Sequence, residues 1–332
     1  MRVGQRVGET NPGRKRRRNE DAYVCDPPLF AVADGMGGAQ AGEVASSLAA
    51  AALKERGDGD VGGEERVAEL IQEANRRVHQ RALDDESASG MGTTMTVALF
   101  HPDGAISIGH VGDSRAYLHR DGKLEQLTDD HSLVAELVRR GELSPEEAEV
   151  HPQRSVITRA LGTDPDVDVD TFTVQAAAGD VFLLCSDGLT TMVDVDTITR
   201  LLDGNRRDLH TAARALIREA NARGGDDNIT AVLFEVAEGE PDDRTVESVL
   251  DTDDEDTLHP EEAPAVGAAE GDTSIVSVRD IESALAAADG PDVVAAPEDE
   301  ARASIVQWFL AALVVLALVA LIVFLIVRGL AR

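Results

Sequence analysis

The chain has 332 residues and a net charge of −31, and its length suffices for one large domain or two ordinary ones. No broad basic region occurs, so the composition excludes nucleic acid as an expected partner. Cys25 and Cys185 are the only cysteines, so no disulfide framework is expected and a reducing compartment is favoured.

Residues 1–236 carry nearly all of the periodic apolar pattern. No apolar stretch follows the first residues, so they are not expected to be a signal peptide. Apolar residues at helical spacing predict helices, and alternating runs between turn signals predict strands. The first predicted elements are helices at Gly42–Glu55 and Glu64–Asp85, strands at Thr93–Phe100, Ala105–Val111, Arg115–His119 and Leu124–Leu127, and a helix at His131–Arg140.

A short helix with a capping-box pattern opens at Ser144, and the irregular residues 150–170 after it, rich in Pro, Gly and Asp, predict a surface flap. The remaining elements are strands at Thr171–Gln175, Val181–Cys185 and Asn228–Val236, and helices at Val195–Leu202 and Leu209–Arg223. Strands in two blocks with paired helices favour an α+β fold of antiparallel sheets faced by helices over a βαβ repeat.

Residues 237–303 differ sharply in composition from the domain before them. Between Ala237 and Glu300 there are 21 acidic and two basic residues and no aromatic residue. Such a segment cannot bury enough apolar surface to order itself, so an acidic, disordered, self-repelling linker is predicted. Within it, Ser274–Ala288 is weakly amphipathic, which suits a transient helix or a docking element.

The segment from Ile305 to Val327 contains 23 residues and one polar side chain, Gln307. At a rise of 1.5 Å per residue it would span about 35 Å, enough to cross a hydrocarbon core of about 30 Å. Trp308 stands where an interfacial aromatic residue is expected. A transmembrane helix is therefore predicted at 304–328, followed by a short tail at 329–332.

Two considerations about the orientation of this span oppose each other. Arg328 and Arg332 follow it, and the positive-inside bias alone would place them in the cytoplasm. However, no signal directs the long hydrophilic part across a membrane, whereas a short tail crosses easily. We therefore expect a single-pass C-terminal anchor in the cell membrane, with the N-terminal domain in the cytoplasm.

Aspartates recur beside glycine or a small hydroxyl residue at the ends of apolar runs. Asp34, Asp113 and Asp187 each follow such a run, and Asp227 precedes one. One Asp-Gly pair would be an ordinary turn, but four carboxylates that converged would repel each other unless a cation lay among them. Carboxylate and backbone carbonyl oxygens are ligands of hard cations. The pattern therefore predicts a Mg²⁺ or Mn²⁺ cluster.

The motifs as a set carry a resemblance to a known family. In chain order they are Arg16-Arg17-Arg18-Asn19-Glu20-Asp21, Ala33-Asp34-Gly35-Met36-Gly37-Gly38, Gly92-Thr93-Thr94, Gly112-Asp113-Ser114-Arg115, Ser186-Asp187-Gly188 and Gly225-Asp226-Asp227-Asn228. From about residue 3 to residue 236, the sequence closely resembles the type 2C metal-dependent Ser/Thr protein phosphatases in their compact bacterial form. The resemblance implies a four-layer αββα sandwich with a metal cluster at one edge of the sheets.

The resemblance also implies roles for individual residues. Asp34 would bridge two ions, Asp187 and Asp227 would bind the first, and Glu20 and the Gly35 carbonyl would bind the second, partly through water. The resemblance further implies that Asp113 would hold a third ion together with Asp187, and that Arg16 would bind the substrate phosphate. The expected cofactor is thus two or three Mn²⁺ or Mg²⁺ ions per domain.

Other roles remain open for some of these residues. Arg16 belongs to a basic run that would also suit solvent or anionic lipid headgroups. Glu20 would also suit the cap of a turn, and Asp226 competes with Asp227 as the ligand. Thr93 and Thr94 are expected to support the sheet near the ions. Eukaryotic relatives have a histidine where this chain has Met36, so the group that protonates the leaving oxygen is not evident.

The chemistry of phosphate esters supports the same site independently. Two cations about 3.5–4 Å apart can bridge a water, lower its pKa and shield the phosphoryl oxygens. An arginine fork can hold the non-bridging oxygens. The chain lacks a Cys-x5-Arg nucleophile motif, since Thr190 and Thr191 follow Cys185 where an arginine would be needed. The resemblance implies that Asp34, Asp187 and Asp227 are the catalytic residues.

The sequence favours a membrane-tethered phosphatase, monomeric in its catalytic domain, that acts on phosphoserine and phosphothreonine in proteins and opposes Ser/Thr kinases. A metal-dependent phosphodiesterase or small-molecule phosphatase would use similar ligands, but the motif order argues against it. A catalytically inactive module that recognises phosphorylated partners is the third hypothesis. Degenerate members of the family lose metal-binding aspartates, and none is missing here.

Overall fold

Two antiparallel sheets form the centre of a computed structural model that describes residues 1–37, 41–55, 62–85, 88, 90–239 and 274–275. The strands are β1 (Arg2–Asn11), β2 (Asp21–Asp26), β3 (Leu29–Met36), β4 (Gly92–Thr93), β5 (Met95–Phe100), β6 (Ala105–Val111), β7 (Arg115–Arg120), β8 (Lys123–Gln126), β9 (Val156–Ile157), β10 (Asp170–Gln175), β11 (Val181–Cys185), β12 (Ile229–Ala237) and β13 (Ser274–Ile275). The helices are α1 (Ala41–Glu55), α2 (Gly63–Asp84), α3 (Leu133–Arg139), α4 (Pro145–Glu149), α5 (Asp187–Thr190), α6 (Val195–Gly204) and α7 (Leu209–Ala222).

The first sheet has the order β1-β12-β11-β7-β8, and the second has the order β10-β6-β5-β3-β2 with β4 added to β3. All pairings within these sheets are antiparallel. Helices α6 and α7 contact the first sheet, and α1 and α2 contact the second. The fold is therefore the predicted α+β arrangement of two antiparallel sheets flanked by helices.

Strand alternation divides the apolar side chains among three hydrophobic layers. In β3, Phe30 and Val32 enter the layer between the sheets, whereas Ala31 and Ala33 enter the layer under α1 and α2. Strands β11 and β12 alternate in the same way between the central layer and the layer under α6 and α7. Because both faces of each central strand are buried, these strands consist almost entirely of apolar residues.

The centre of the inter-sheet layer is a group of three stacked aromatic rings. The Phe234 ring lies 4.0 Å from the Phe30 ring and 5.1 Å from the Phe182 ring, centroid to centroid. All three side chains are fully buried, and they come from both sheets. The stack therefore holds the two sheets together directly behind the strands that end at the predicted site.

Strand β1 is the main element that the sequence analysis missed. Its residues are half-exposed and include only two valines, Val3 and Val7, so no period-two pattern is visible. A Cβ at Gly8 would lie 2.2 Å from the Tyr23 ring, so this position needs glycine for the close approach of the ring. The strand is specified by its pairing with β12 rather than by its own composition.

The predicted flap is only partly a surface feature. Residues 150–156 are largely exposed, but Ile157, Ala160 and Leu161 are buried. Of the predicted linker, the structure describes residues 237–239 and Ser274–Ile275, the latter as strand β13. The predicted transmembrane helix lies outside the described residues. Among those that are described, no helix combines the length and apolarity needed to cross a bilayer.

Substitution of Phe234 by Ala should lower the free energy of unfolding by about 3–5 kcal/mol, because it leaves a cavity between the two stacked partners. Urea denaturation followed by circular dichroism would measure the change. Val195→Ala is the matched control, since Val195 is 43% exposed and its truncation should change stability by about 0.5 kcal/mol or less. Equal effects of the two substitutions would contradict this account of the core.

Candidate metal centre

Four aspartates from both sheets meet at one edge of the sandwich. Asp34 lies near the C-terminal end of β3, and Asp113 follows β6. Asp187 is the first residue of α5, just after β11, and Asp227 precedes β12. Asp34 is close enough to the other three for their charges to affect its ionisation. The structure therefore brings together all four aspartates that the sequence pattern singled out.

Burial makes this group of carboxylates electrostatically unfavourable when it is fully ionised. Desolvation, with the charges of neighbouring aspartates, raises the pKa of Asp34 and of Asp113 well above the usual range. Burial and the charge of Asp227 raise the pKa of Asp187 to about 6. The Asp187 Oδ1 atom is also buried without a hydrogen-bond partner. A cation among these groups would relieve both the repulsion and the missing contact.

Glu20 and the Gly35 carbonyl lie side by side on a second part of the site. A Cβ at Gly42 would stand 2.2 Å from Glu20 Oε2 and 2.8 Å from Gly35 O, so both oxygens face the same point on α1. The Gly35 N–H donates to Glu20 O at 3.1 Å, and the Ser46 hydroxyl donates to the same carbonyl at 2.5 Å. These bonds fix the backbone of Glu20 relative to that of Gly35, and so fix the positions of the two predicted ligands.

The donor atoms at this edge fit a hard divalent cation. They are carboxylate and carbonyl oxygens, the ligands that Mg²⁺ and Mn²⁺ prefer. Across the described ranges, no three His, Cys, Asp or Glu side chains are close enough to hold an ion by themselves. Carbonyl oxygens and waters would have to complete each coordination shell, as Mg²⁺ commonly requires. The residues present thus fit the predicted cofactor.

Arg16 lies at the rim of the carboxylate group. Its Nη2 atom is 2.9 Å from Asp227 Oδ2, and both side chains are about one-third exposed. Lys15 instead pairs with Asp226 at 2.9 Å, and Asp226 is nearly half exposed. Of the two neighbouring aspartates, Asp227 is the one whose charge acts on Asp34 and Asp187, and Arg16 lies beside it.

Thr93 and Thr94 fix the backbone around Asp34. The Asp34 N–H donates to Thr94 Oγ1 at 3.0 Å, and the Thr94 N–H and Thr93 hydroxyl both donate to Asp34 O, at 2.9 and 2.8 Å. The Thr94 hydroxyl also lies 2.6 Å from that of Ser114, beside Asp113. Both threonines are fully buried, and they support the site as the sequence predicted.

His131 supports the turn that carries Asp113. Its N–H donates to Gly112 O at 2.8 Å, and the Gly112 N–H donates to its Nδ1 atom at 3.0 Å. Gly112 has a φ of 111°, a conformation that glycine adopts readily. From the sequence alone His131 is expected to be a flap or surface residue, and the structure corrects this, because the side chain is buried and contacts the Gly112 turn.

Two buried polar residues of the site were not predicted. Asp21 lies opposite Asp34 in the β2–β3 pairing and accepts hydrogen bonds from Ser186 and Thr230, at 2.8 and 2.5 Å, while its Oδ1 atom has no partner. Burial raises the pKa of Asp21 to about 7. Its adjacency to Glu20 in a strand that runs into the site was the only signal in the sequence.

Asn228 is the second residue of this kind. Its side-chain oxygen accepts from the Glu20 N–H at 2.8 Å, and its amide donates to Pro12 O and Arg18 O at 3.1 and 2.8 Å. One side chain thus ties the basic loop, the Glu20 backbone and the Asp227 turn together. The sequence analysis used Asn228 only as a marker for its neighbour.

Met36 is buried and packs against Ile157 and Ala160. It has no proton to donate, so the structure agrees with the sequence that this position supplies no acid. Beside the site, a cleft of about 990 Å³ is lined by Asp113 and Asp187 and by residues of α3, α4 and the flap. The cleft is large enough for a peptide segment to approach the carboxylates.

Comparison with known proteins gives a consistent result. The family model of protein phosphatase 2C matches residues 14–233. The serine/threonine phosphatase stp of Listeria monocytogenes is 41% identical over 237 residues, which cover 68% of this chain and 93% of that protein. The serine/threonine protein phosphatase PstP of Mycobacterium tuberculosis is 40% identical over 234 residues, which cover 70% of this chain and 45% of that protein.

Solved structures resemble the fold over the same part of the chain. The crystal structure of the Mycobacterium tuberculosis phosphatase PstP/Ppp has a TM-score of 0.67 and 39% identity, and the match covers 71% of this chain and 100% of that one. A structure of the PstP catalytic domain in complex with two manganese ions has a TM-score of 0.64 and 37% identity, with coverage of 71% and 99%.

Substitution of Asn228 by Ala should weaken Mn²⁺ binding and activity by about 10–100-fold, as expected when a residue that orients ligands is removed. Calorimetric titration with Mn²⁺ would measure the affinity independently of turnover. Asn205→Ala is the matched control, because the Asn205 side-chain amide donates to Leu201 O at the end of α6. Unchanged Mn²⁺ affinity in the Asn228 variant would contradict this role.

Proposed function

The chain belongs to the protein phosphatase 2C family and is a metal-dependent Ser/Thr protein phosphatase with Mn²⁺ or Mg²⁺ as cofactor, and on that premise we propose how its residues perform the reaction. We infer that it hydrolyses phosphoserine and phosphothreonine in proteins by direct attack of water, with two or three ions per domain. The observation that carries this proposal is the convergence of four aspartates from both sheets at one edge.

We assign the cofactor ligands to Glu20, Asp34, the Gly35 carbonyl, Asp187 and Asp227, with Asp113 at a third position. When bound, the ions supply Lewis acidity that lowers the pKa of water and neutralises phosphoryl oxygens. The protein's contribution is to hold these oxygens rigidly before the ions arrive. The Asp34 N–H donates to the Thr94 hydroxyl and the Glu20 N–H donates to the Asn228 side-chain oxygen, and these bonds provide that rigidity.

Arg16 is the residue that we assign to the substrate phosphate. Its guanidinium already forms an ion pair with a site carboxylate, Asp227, at the exposed rim. A planar guanidinium can donate two parallel hydrogen bonds to phosphoryl oxygens. Arg16 would thereby orient the ester so that water approaches in line with the leaving serine or threonine oxygen.

An inactive phosphopeptide-binding module is less well supported than an enzyme. A module of that kind has no need for a complete carboxylate set, yet all the predicted ligands are present and each is at least partly buried. Carboxylates that are clustered and partly withdrawn from water are unfavourable for stability, which argues that they are retained for a bound cation.

Substitution of Asp34 by Asn should lower kcat/KM for a phosphothreonine peptide by about 10²-fold or more, because metal assistance is worth several kcal/mol in the transition state. EDTA should abolish turnover, and Mn²⁺ should restore it. Asp203→Asn is the control, since Asp203 is 47% exposed on α6 and pairs with His119. Turnover that resists the chelator would refute the metal mechanism, and an intact chain inactive with every metal tested would favour the binding module.

We further propose that the enzyme is anchored in the cell membrane by residues 304–328, with its catalytic domain in the cytoplasm. The support is the run of 23 residues from Ile305 to Val327 with one polar side chain, and the acidic segment that would keep the domain extended away from the membrane surface. Its substrates would be products of Ser/Thr protein kinases, which it would oppose.

Cell fractionation would test the anchor. The full chain should remain with the membrane fraction after an alkaline carbonate wash, whereas a chain that ends at residue 303 should be soluble. Deletion of residues 241–270 is the control, because it shortens the acidic segment and leaves the apolar run intact. Recovery of the full chain in the soluble fraction would rule out the anchor. If a protease added outside intact cells digested the catalytic domain, that domain would lie outside the cell and the proposed orientation would be wrong.

A further inference from the structure

Strand β9 has neighbours on both of its edges. Ser132 forms an antiparallel bridge to Ile157 on one side. On the other side β13 pairs in parallel, with Ser274 opposite Val156 and Ile275 opposite Ile157. A segment of the acidic C-terminal region is thus docked as an extended strand on the flap of the catalytic domain.

Strand β9 is connected to the Asp34 side of the metal centre. The Ile157 side chain packs against Met36, two residues after Asp34. Leu161 exchanges backbone hydrogen bonds with Thr93 at 2.9 and 3.1 Å, and the Thr93 hydroxyl donates to Asp34 O. The residues that follow β9 are therefore held against the strand that carries the bridging aspartate.

The same strand is connected to the Asp113 side. The Thr158 N–H donates to His131 O at 2.9 Å, and the His131 N–H donates to Gly112 O at 2.8 Å. Arg154 and Ser155, directly before β9, line the cleft that contains Asp113. An extended chain paired with β9 therefore lies next to the cleft through which a phosphorylated segment would reach the carboxylates.

The chemistry of the docked segment is that of a substrate without its phosphate. Ser274 lies in an extended backbone and is followed by the β-branched Ile275, and Asp272 and Asp280 flank the segment in sequence. Main-chain pairing to a strand edge accepts many sequences, which suits an enzyme that acts on several proteins. A ladder of two residues is short, so a competing strand can displace it.

We propose that the β9 edge is the docking strand for the extended phosphoserine or phosphothreonine segment of a protein substrate, and that Ser274–Ile275 occupies it in cis as a competitor. This inference rests on the proposed phosphatase function. The acidic region would then regulate substrate affinity without touching the metal ligands. Small phosphate esters, which need no strand pairing, would escape this competition.

The test uses the full-length chain and Ser274→Pro, because in the parallel register the Ser274 N–H faces β9 and proline removes it. Val266→Pro, in the same acidic region, is the matched control. The KM for a phosphothreonine peptide should fall about 3–10-fold in the Ser274 variant, since the open edge is no longer partly occupied. The kcat for this peptide and both constants for p-nitrophenyl phosphate should stay unchanged.

Hydrogen exchange read by mass spectrometry tests docking separately from turnover. The Ile157 amide, which faces β13, should exchange faster in Ser274→Pro than in Val266→Pro, and excess phosphopeptide should restore its protection. An unchanged peptide KM, a lower kcat for both substrates, or exchange that the peptide does not slow would each overturn the proposal. Inactivity of the unaltered chain would count against the phosphatase function instead, and the exchange result would still decide the docking.

Discussion

Repulsion among buried carboxylates is the constraint on which the rest of this structure depends. Asp34, Asp113 and Asp187 are all withdrawn from water, and their pKa values are raised by that burial and by one another's charge. A fold that keeps such groups together must hold them by rigid surroundings and must offer a compensating cation. The ends of the strands provide the rigid surroundings, and the divalent cofactor of the family provides the compensating positive charge.

The rigid surroundings consist mostly of uncharged hydrogen-bonding residues. Thr94 fixes Asp34, His131 fixes the turn before Asp113, and Asn228 links the Asp227 turn to Glu20. Each of these residues bonds to backbone atoms of a neighbouring segment, so the carboxylates are positioned without any loss of their own ligand oxygens. This explains why the acidic motifs are so short and why their supporting residues are scattered along the chain.

Local patterns in the sequence predicted the antiparallel sheets with their helices and the aspartates at the strand ends, whereas contacts between distant segments were not predictable. The buried strands β3, β11 and β12 are visible as apolar runs, and each is followed or preceded by its aspartate. Strand β1 was not predicted because about half of its residues are polar. The role of Asn228 was not predicted because it depends on three distant carbonyl and amide groups. The pairing of β9 with β13 likewise joins segments that are far apart in the sequence, and neither segment identifies the other as its partner.

The four clustered aspartates come from both sheets, since Asp34 and Asp113 extend from one and Asp187 and Asp227 from the other. Ions bound between these residues would link the two sheets and stabilise the folded domain, in addition to the aromatic stack between the sheets. Such ligands stabilise the folded state by about 2.7 kcal/mol at a concentration one hundred times Kd. The supply of divalent ions in the cell would therefore determine the lifetime of this protein as well as its rate.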